Sequence, residues 1–433
     1  MDMIKNHVII FSVVLGMYMS SCDDSLNPYS KGFERVDIEL TSVEKDMALS
    51  QYEFPVNLLS SAIETQNSGN VMVSPLSASM VLGMLANSID PEDREEILKV
   101  INVKEGDLEA YDSFMQKLNS TLPDIDKNTL FQMSNGFWLV EKANLSERYL
   151  KVLNSSYLSE IKRFKNFGQS TVNEINGWVK EKTNGGISRI LEDKDASLDL
   201  NTIWLNALYF KGNWRQKFDK SRTKKEPFYP NYPDKSVSPN VDMMYGNDFR
   251  YSYYLFKENS YDYDDAIATV MLPYGNESYI FTAVLPSPNN PDLQSTLQSL
   301  DSEYWAKIDE ICSYKRDKPG DVIVKMPKIK NENKSNLIPI LMNMGLTNIF
   351  DPFEGVSMNE NLELGSQYIS LFRQSVVLDL DEEGTEIKVA TVAGGGDLMA
   401  GPPEIIEFNR PFLYFVRERS TGAVLLAGVY REV

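Results

Sequence analysis

The side chains that most often carry out catalysis are nearly missing from this sequence. It holds one histidine, His7, and two cysteines, Cys22 and Cys312. Without a second histidine, no Ser-His-Asp triad, Cys-His dyad or histidine zinc site can be assembled in the body of the chain. Cys312 has no histidine to activate it and reads as a packed thiol. The triplet Gly394-Gly395-Gly396 is not followed by the Lys-Ser/Thr of a phosphate cradle. No cofactor and no metal are expected, and the inventory is not that of an enzyme. Nucleic acid is disfavoured as a partner too, since the formal net charge of −19 is the opposite of a phosphate-binding footprint.

Two other places carry chemistry of a different kind. The first is the N-terminus, where Lys5 precedes an apolar run from Val8 to Tyr18 that is too short to span a bilayer. It ends in Met19-Ser20-Ser21-Cys22, which resembles a bacterial lipobox, with Cys22 lipidated and becoming the mature N-terminus. Residues 1–22 are therefore expected to be a lipoprotein signal peptide and 23–44 a flexible tether. That makes the protein exported and lipid-anchored to a cell-envelope membrane.

The second place is the stretch after Ser375–Leu380. Asp381-Glu382-Glu383-Gly384 reads as a turn, yet Thr385, Ile387, Val389, Thr391 and Ala393 then alternate with Glu386, Lys388, Ala390 and Val392. Alternation of this kind is a strand pattern. The glycine triplet and Gly401-Pro402-Pro403 argue instead for exposed backbone, and a long loop with a latent strand pattern is usually functional.

The elements that must hold such a loop are ordinary in composition, with 42% apolar and 24% charged residues, and no repeat or linker divides them. One domain over 45–433 is expected. Helices are expected over Leu49–Ile63, from Ser74-Pro75 through Leu85, and over 171–191. Strands are expected at Thr202–Phe210, Ala266–Leu272, Tyr279–Leu285 and Val322–Met326. A hairpin is expected where Pro411–Arg417 and Ala423–Tyr430 flank Arg419-Ser420-Thr421-Gly422. The plan is α+β, with N-terminal helices and large antiparallel sheets.

Five motifs in order make the chain from residue 50 onward resemble a serpin. They are Asn70–Ser77 (NVMVSPLS), Thr183-Asn184-Gly185, Asn206–Trp214 (NALYFKGNW), Met326-Pro327-Lys328 and Phe408–Phe412 (FNRPF). The resemblance implies a metastable antiparallel sheet and an exposed reactive-centre loop at about 382–403. Glu382, Glu383, Gly384, Thr385 and Glu386 would be its hinge, and Ser74, Asn206 and Trp214 would belong to the sheet-opening region. Such a protein is a bait: a serine or cysteine protease attacks the loop, and the cleaved loop inserts as a new strand and traps the acyl-enzyme. The alternative readings are a non-inhibitory serpin-fold carrier, favoured by the bulky Ile387-Lys388-Val389 in the hinge, and a surface-binding lipoprotein for glycans. Counting along the loop puts the scissile residue at Leu398, Met399 or Ala400. All three are apolar, which suits elastase-, chymotrypsin- or subtilisin-like proteases. A monomer is expected.

Overall fold

The computed structural model describes residues 34–249, 252–257, 260–313, 322–385 and 404–433. A compact unit runs from Arg35 to Val433 and starts about ten residues before the expected boundary at 45. The tether drawn through Glu44 is too long, because Thr41 and Glu44 cap the first helix reciprocally and Ile38 is buried. The expected helix from Leu49 to Ile63 is two helices, Ser42–Ser50 and Glu53–Thr65, broken at Gln51 and Tyr52.

Ser74 opens the next helix, Pro75–Ser88. Its backbone is extended, its Oγ accepts the Ser77 amide, and Pro75 occupies the first turn where no amide is needed. This helix is apolar on nearly every face and is buried accordingly. The helix expected over 171–191 covers only Gln169–Lys182. Asn184 and Gly185 follow it in the left-handed region, at φ 50° and 79°. The Gly185 amide closes onto the Lys180 carbonyl at 2.8 Å, so the helix cannot continue.

Among the described residues three main bodies of sheet carry the rest, beside a small two-stranded pair, Val356–Ser357 with Ser366–Gln367. The largest continuous one runs, in spatial order, Val71–Val73, Val424–Tyr430, Phe412–Glu418, Tyr279–Leu285, Ile267–Pro273 and Ser252–Leu255, with every neighbour antiparallel. It contains the expected C-terminal hairpin, and four of its strands are buried on both faces or nearly so. A second sheet joins Glu404–Glu407, Val322–Pro327, Asn240–Phe249 and Lys224–Pro227.

The third sheet is in two halves. One is Glu160–Phe164, Thr129–Val140 and Thr202–Gly212; the other is Ile329–Asn336, Arg373–Asp381 and the two residues Gly384–Thr385. Not all pairing is antiparallel as expected: Thr129–Val140 with Glu160–Phe164, and Val322–Pro327 with Glu404–Glu407, are parallel.

Candidate functional site: the hinge and the open seam

Thr202–Gly212 and Arg373–Asp381 face each other across a seam. Among the described residues, the two halves are bridged at one place, Asn213 to Gly384, just beyond the end of the first strand, and no ladder joins Thr202–Gly212 directly to Arg373–Asp381. Below the bridge, Leu208 and Phe210 face Val376 and Leu378 around a small apolar cavity of about 30 Å³. Further along, a cavity of about 280 Å³ is lined by Val81, Leu85, Trp204, Asn206, Phe372 and Gln374.

The bridged end is the hinge. Leu380 pairs with Thr385 and Asp381 with Gly384, so Glu382 and Glu383 form the expected turn. Gly384 has φ +139°, and a Cβ there would lie within 2.7 Å of Asn213 Cα and of the Trp214 amide nitrogen. Only glycine fits between the two strands at this point. The Trp214 amide donates to the Glu383 carbonyl at 2.9 Å, its indole Nε1 donates to the Asp381 carbonyl at 2.9 Å, and the Phe218 amide donates to the Glu382 carbonyl at 3.0 Å. Trp214 itself stacks on Tyr274 with centroids 4.5 Å apart.

The two hinge carboxylates are clamped. Glu382 and Glu383 are 2% and 4% exposed. Glu382 accepts the Thr223 hydroxyl at 2.6 Å and lies 2.9 Å from the Lys328 ammonium. Glu383 lies 2.6 Å from Lys217 and 2.9 Å from Lys220. Burial alone would raise both carboxyls. The hydrogen bonds from Thr223 and Lys328, and from Lys217 and Lys220, outweigh it and hold both below the ordinary glutamate value of 4.5. The unfolded chain then binds these protons more tightly than the folded one. The clamp therefore contributes fully above about pH 4.5 and is lost as pH falls through the lowered values. Glu382→Lys would leave two cations facing each other at a buried site and is expected to cost about 3 kcal/mol in urea unfolding of the intact protein. Adding Lys328→Glu should recover part of that loss; a loss in the double variant equal to the sum of the two singles would show that the pair is not coupled.

Ser74 and Asn206 lie away from this end. Ser74, besides capping its helix, donates to the Leu425 carbonyl at 2.6 Å, and its amide and carbonyl are both held by the Gln374 side chain. Asn206 donates to Asn135 Oδ1 at 2.8 Å, and Asn135 donates to the Tyr157 carbonyl at 2.6 Å. Among the described residues, the Oδ1 of Asn206 is buried and has no hydrogen-bond donor. Of the three residues assigned to sheet opening, Ser74 and Asn206 thus sit by the wide part of the seam, while Trp214 sits at the hinge.

Of the five residues assigned to the hinge, Glu382 and Glu383 form the turn and Gly384–Thr385 the short strand that follows it. Glu386, the scissile candidates Leu398, Met399 and Ala400, and the lipidation candidate Cys22 lie outside the described residues. Cys312 is buried, and burial pushes its thiol up to about 12, as a packed thiol requires. The sequence reading missed Lys217, Lys220, Thr223 and Lys328 of the clamp, and Asn135 and Gln374 of the wide seam.

Comparison with known proteins agrees with this geometry. The sequence model described as "Serpin (serine protease inhibitor)" matches residues 49–433. Iripin-1 of Ixodes ricinus is 30% identical over 369 residues, covering 83% of this chain and 88% of the relative. Human serpin B4 is 26% identical over 384 residues, covering 83% and 92%. Among solved structures, the thermophilic serpin tengpin in its native state superposes with a TM-score of 0.74 at 24% identity, covering 92% of this chain and 97% of its own. Human thyroxine-binding globulin complexed with thyroxine gives a TM-score of 0.75 at 21% identity, covering 90% and 99%. The fold, helices around a large antiparallel sheet, is common to all of them.

Proposed function

The chain belongs to the serpin family, whose members are generally protease inhibitors rather than enzymes, and from that premise we propose that it is a single-use inhibitor of serine proteases, with cysteine proteases as a second target class. The observation that carries the proposal is the pairing of Gly384–Thr385 at one end of a seam across which, among the described residues, no ladder runs. Continuing both registers defines what an inserted loop would meet. Ile387 would lie between Leu378 and Phe210, Val389 between Val376 and Leu208, and Thr391 between Gln374 and Asn206. The two bulky residues of the hinge thus meet apolar lining, and a hydroxyl arrives beside the orphan acceptor of Asn206. Glu386 and Lys388 fall on the opposite face, where their charges stay hydrated.

The loop supplies the bait and the protease supplies the chemistry. The attacking serine cleaves after Leu398, Met399 or Ala400 and remains esterified to the new C-terminus. Insertion of the strand then carries the acyl-enzyme along the seam and distorts it before water can release it. Apolar residues at the scissile position point to elastase-, chymotrypsin- or subtilisin-like targets. Incubation with a panel of such proteases and trypsin, followed by denaturing electrophoresis and mass spectrometry of the released C-terminal peptide, tests this. A covalent complex and a cut after residue 398, 399 or 400 are expected. Clipping without a complex would favour the non-inhibitory carrier, which the bulk of Ile387 and Val389 keeps in view because slow insertion makes a substrate.

The apolar run and the Met19-Ser20-Ser21-Cys22 sequence support export and lipidation at Cys22 in a cell-envelope membrane, where we expect the protein to act as a monomer. Fatty-acid labelling of the full chain that persists in Cys22→Ser would exclude that site.

A further inference from the structure

The N-terminal segment ahead of the first helix ends up beside the hinge. Val36 makes two hydrogen bonds to one side chain: its amide donates to Ser278 Oγ at 3.2 Å, and Ser278 Oγ donates back to its carbonyl at 2.9 Å. The Ile38 amide donates to Ser420 Oγ at 2.8 Å, its side chain is buried, and Lys117 reaches the Glu39 carbonyl at 3.1 Å. Ser278 and Ser420 belong to two adjacent turns, those after Ile267–Pro273 and Phe412–Glu418, which are joined by the Arg419 amide and the Ser278 carbonyl at 2.9 Å.

The first of these turns backs the hinge directly. The Gly275 amide donates to the Asn213 carbonyl at 2.9 Å, the Arg215 amide donates to the Pro273 carbonyl at 2.8 Å, and Arg215 pairs with Glu277 at 3.1 Å. Asn213 and Trp214 are the residues that hold Gly384 and Glu383. A path of direct contacts therefore runs from Val36 through Ser278 and the 274–278 turn to the point where a loop would begin to insert.

We propose that Arg35–Leu40 is a strap that slows loop insertion by holding the 274–278 turn against the hinge. The proposal rests on the metastable reading above. The strap's hydrogen bonds stabilise the arrangement around Asn213–Arg215 before insertion. Strand insertion must spread Thr202–Gly212 from Arg373–Asp381 beyond the Asn213–Gly384 bridge, and that movement pulls Asn213–Arg215 away from the turn the strap holds. Whatever stabilises only the starting state raises the barrier to leaving it.

The test uses the full chain with Ser278→Ala, which removes both bonds to Val36, and separately Ile38→Ser, which unseats the strap without touching the turn. The uncleaved proteins are held below their melting temperature, and the loss of protease-sensitive loop is followed with time. Both variants are expected to convert about tenfold faster than the parent, the effect of losing hydrogen bonds of ordinary strength from the starting state alone. The melting temperature of their loop-cleaved forms is expected to match that of the cleaved parent. An unchanged conversion rate overturns the strap. So does an equal drop in stability of cleaved and uncleaved forms, which would mark a merely structural contact. A parent that neither converts nor gains stability on cleavage overturns the metastable reading itself, and the strap with it.

Discussion

Cutting the loop after Leu398 or Met399 is expected to raise the melting temperature of the protein by more than about 10 °C. Among the described residues no ladder joins Thr202–Gly212 to Arg373–Asp381, and an inserted strand would add main-chain hydrogen bonds to both. Each is worth about 1 kcal/mol net, so about a dozen would add on the order of 10 kcal/mol. Burying Ile387 and Val389 against Leu208, Phe210, Val376 and Leu378 adds a few kcal/mol more, at roughly 2 kcal/mol per side chain. For a chain of this length, about 1 kcal/mol moves the transition by about 1 °C. Calorimetry of intact and clipped protein reads the difference. Equal melting temperatures would show that the seam stays empty after cleavage.

The second large effect is expected from Thr385→Arg. The register pairs Thr385 with Leu380, a fully buried residue at the entrance to the seam. An arginine there would bring an unpaired charge to the buried face at the first step of insertion, at a cost of several kcal/mol. Since about 1.4 kcal/mol is tenfold in rate, insertion would fall behind hydrolysis of the acyl-enzyme. The yield of covalent complex should drop at least about tenfold, while the rate of loop cleavage stays unchanged, so that an inhibitor becomes a substrate. Thr385→Val keeps the shape without a charge and should retain most of the complex. A Thr385→Arg protein that traps protease as well as its parent would mean that insertion does not begin at this residue.

The strands that could be read from the sequence are those whose chemistry is local. Tyr279–Leu285 and the Phe412–Glu418 and Val424–Tyr430 hairpin are continuous apolar runs bounded by turn residues, and Ser74-Pro75 announces its helix by side chain alone. Thr129–Val140 escaped notice although it is the longest strand, because Gln132, Ser134 and Asn135 interrupt its apolar pattern. Asn135 is there to hold Asn206 and the Tyr157 carbonyl, a purpose visible only in three dimensions. The hinge motif was legible as a motif, but its clamp was not. Lys217 and Glu383 are 166 residues apart and Thr223 and Glu382 are 159 apart, and nothing in a lysine's immediate surroundings says which distant carboxylate it will meet. The same holds for the N-terminal strap, since Val36 and Ser278 are separated by 242 residues and the polar composition of the stretch reads as a tether.

An empty seam does not ask whose strand fills it. Its edges recognise alternation and backbone, so the corresponding segment of a neighbouring molecule satisfies them as well as the chain's own. The contact is head-to-tail: each molecule that receives a strand still has its own to give. Such a contact does not close on itself and builds open chains. Its rate depends on how many copies lie within reach. A membrane-tethered protein confined to a plane would meet its neighbours far more often than a freely diffusing one. If the molecule is lipid-anchored as proposed, how densely it could be displayed would be limited by the same seam that would let it work.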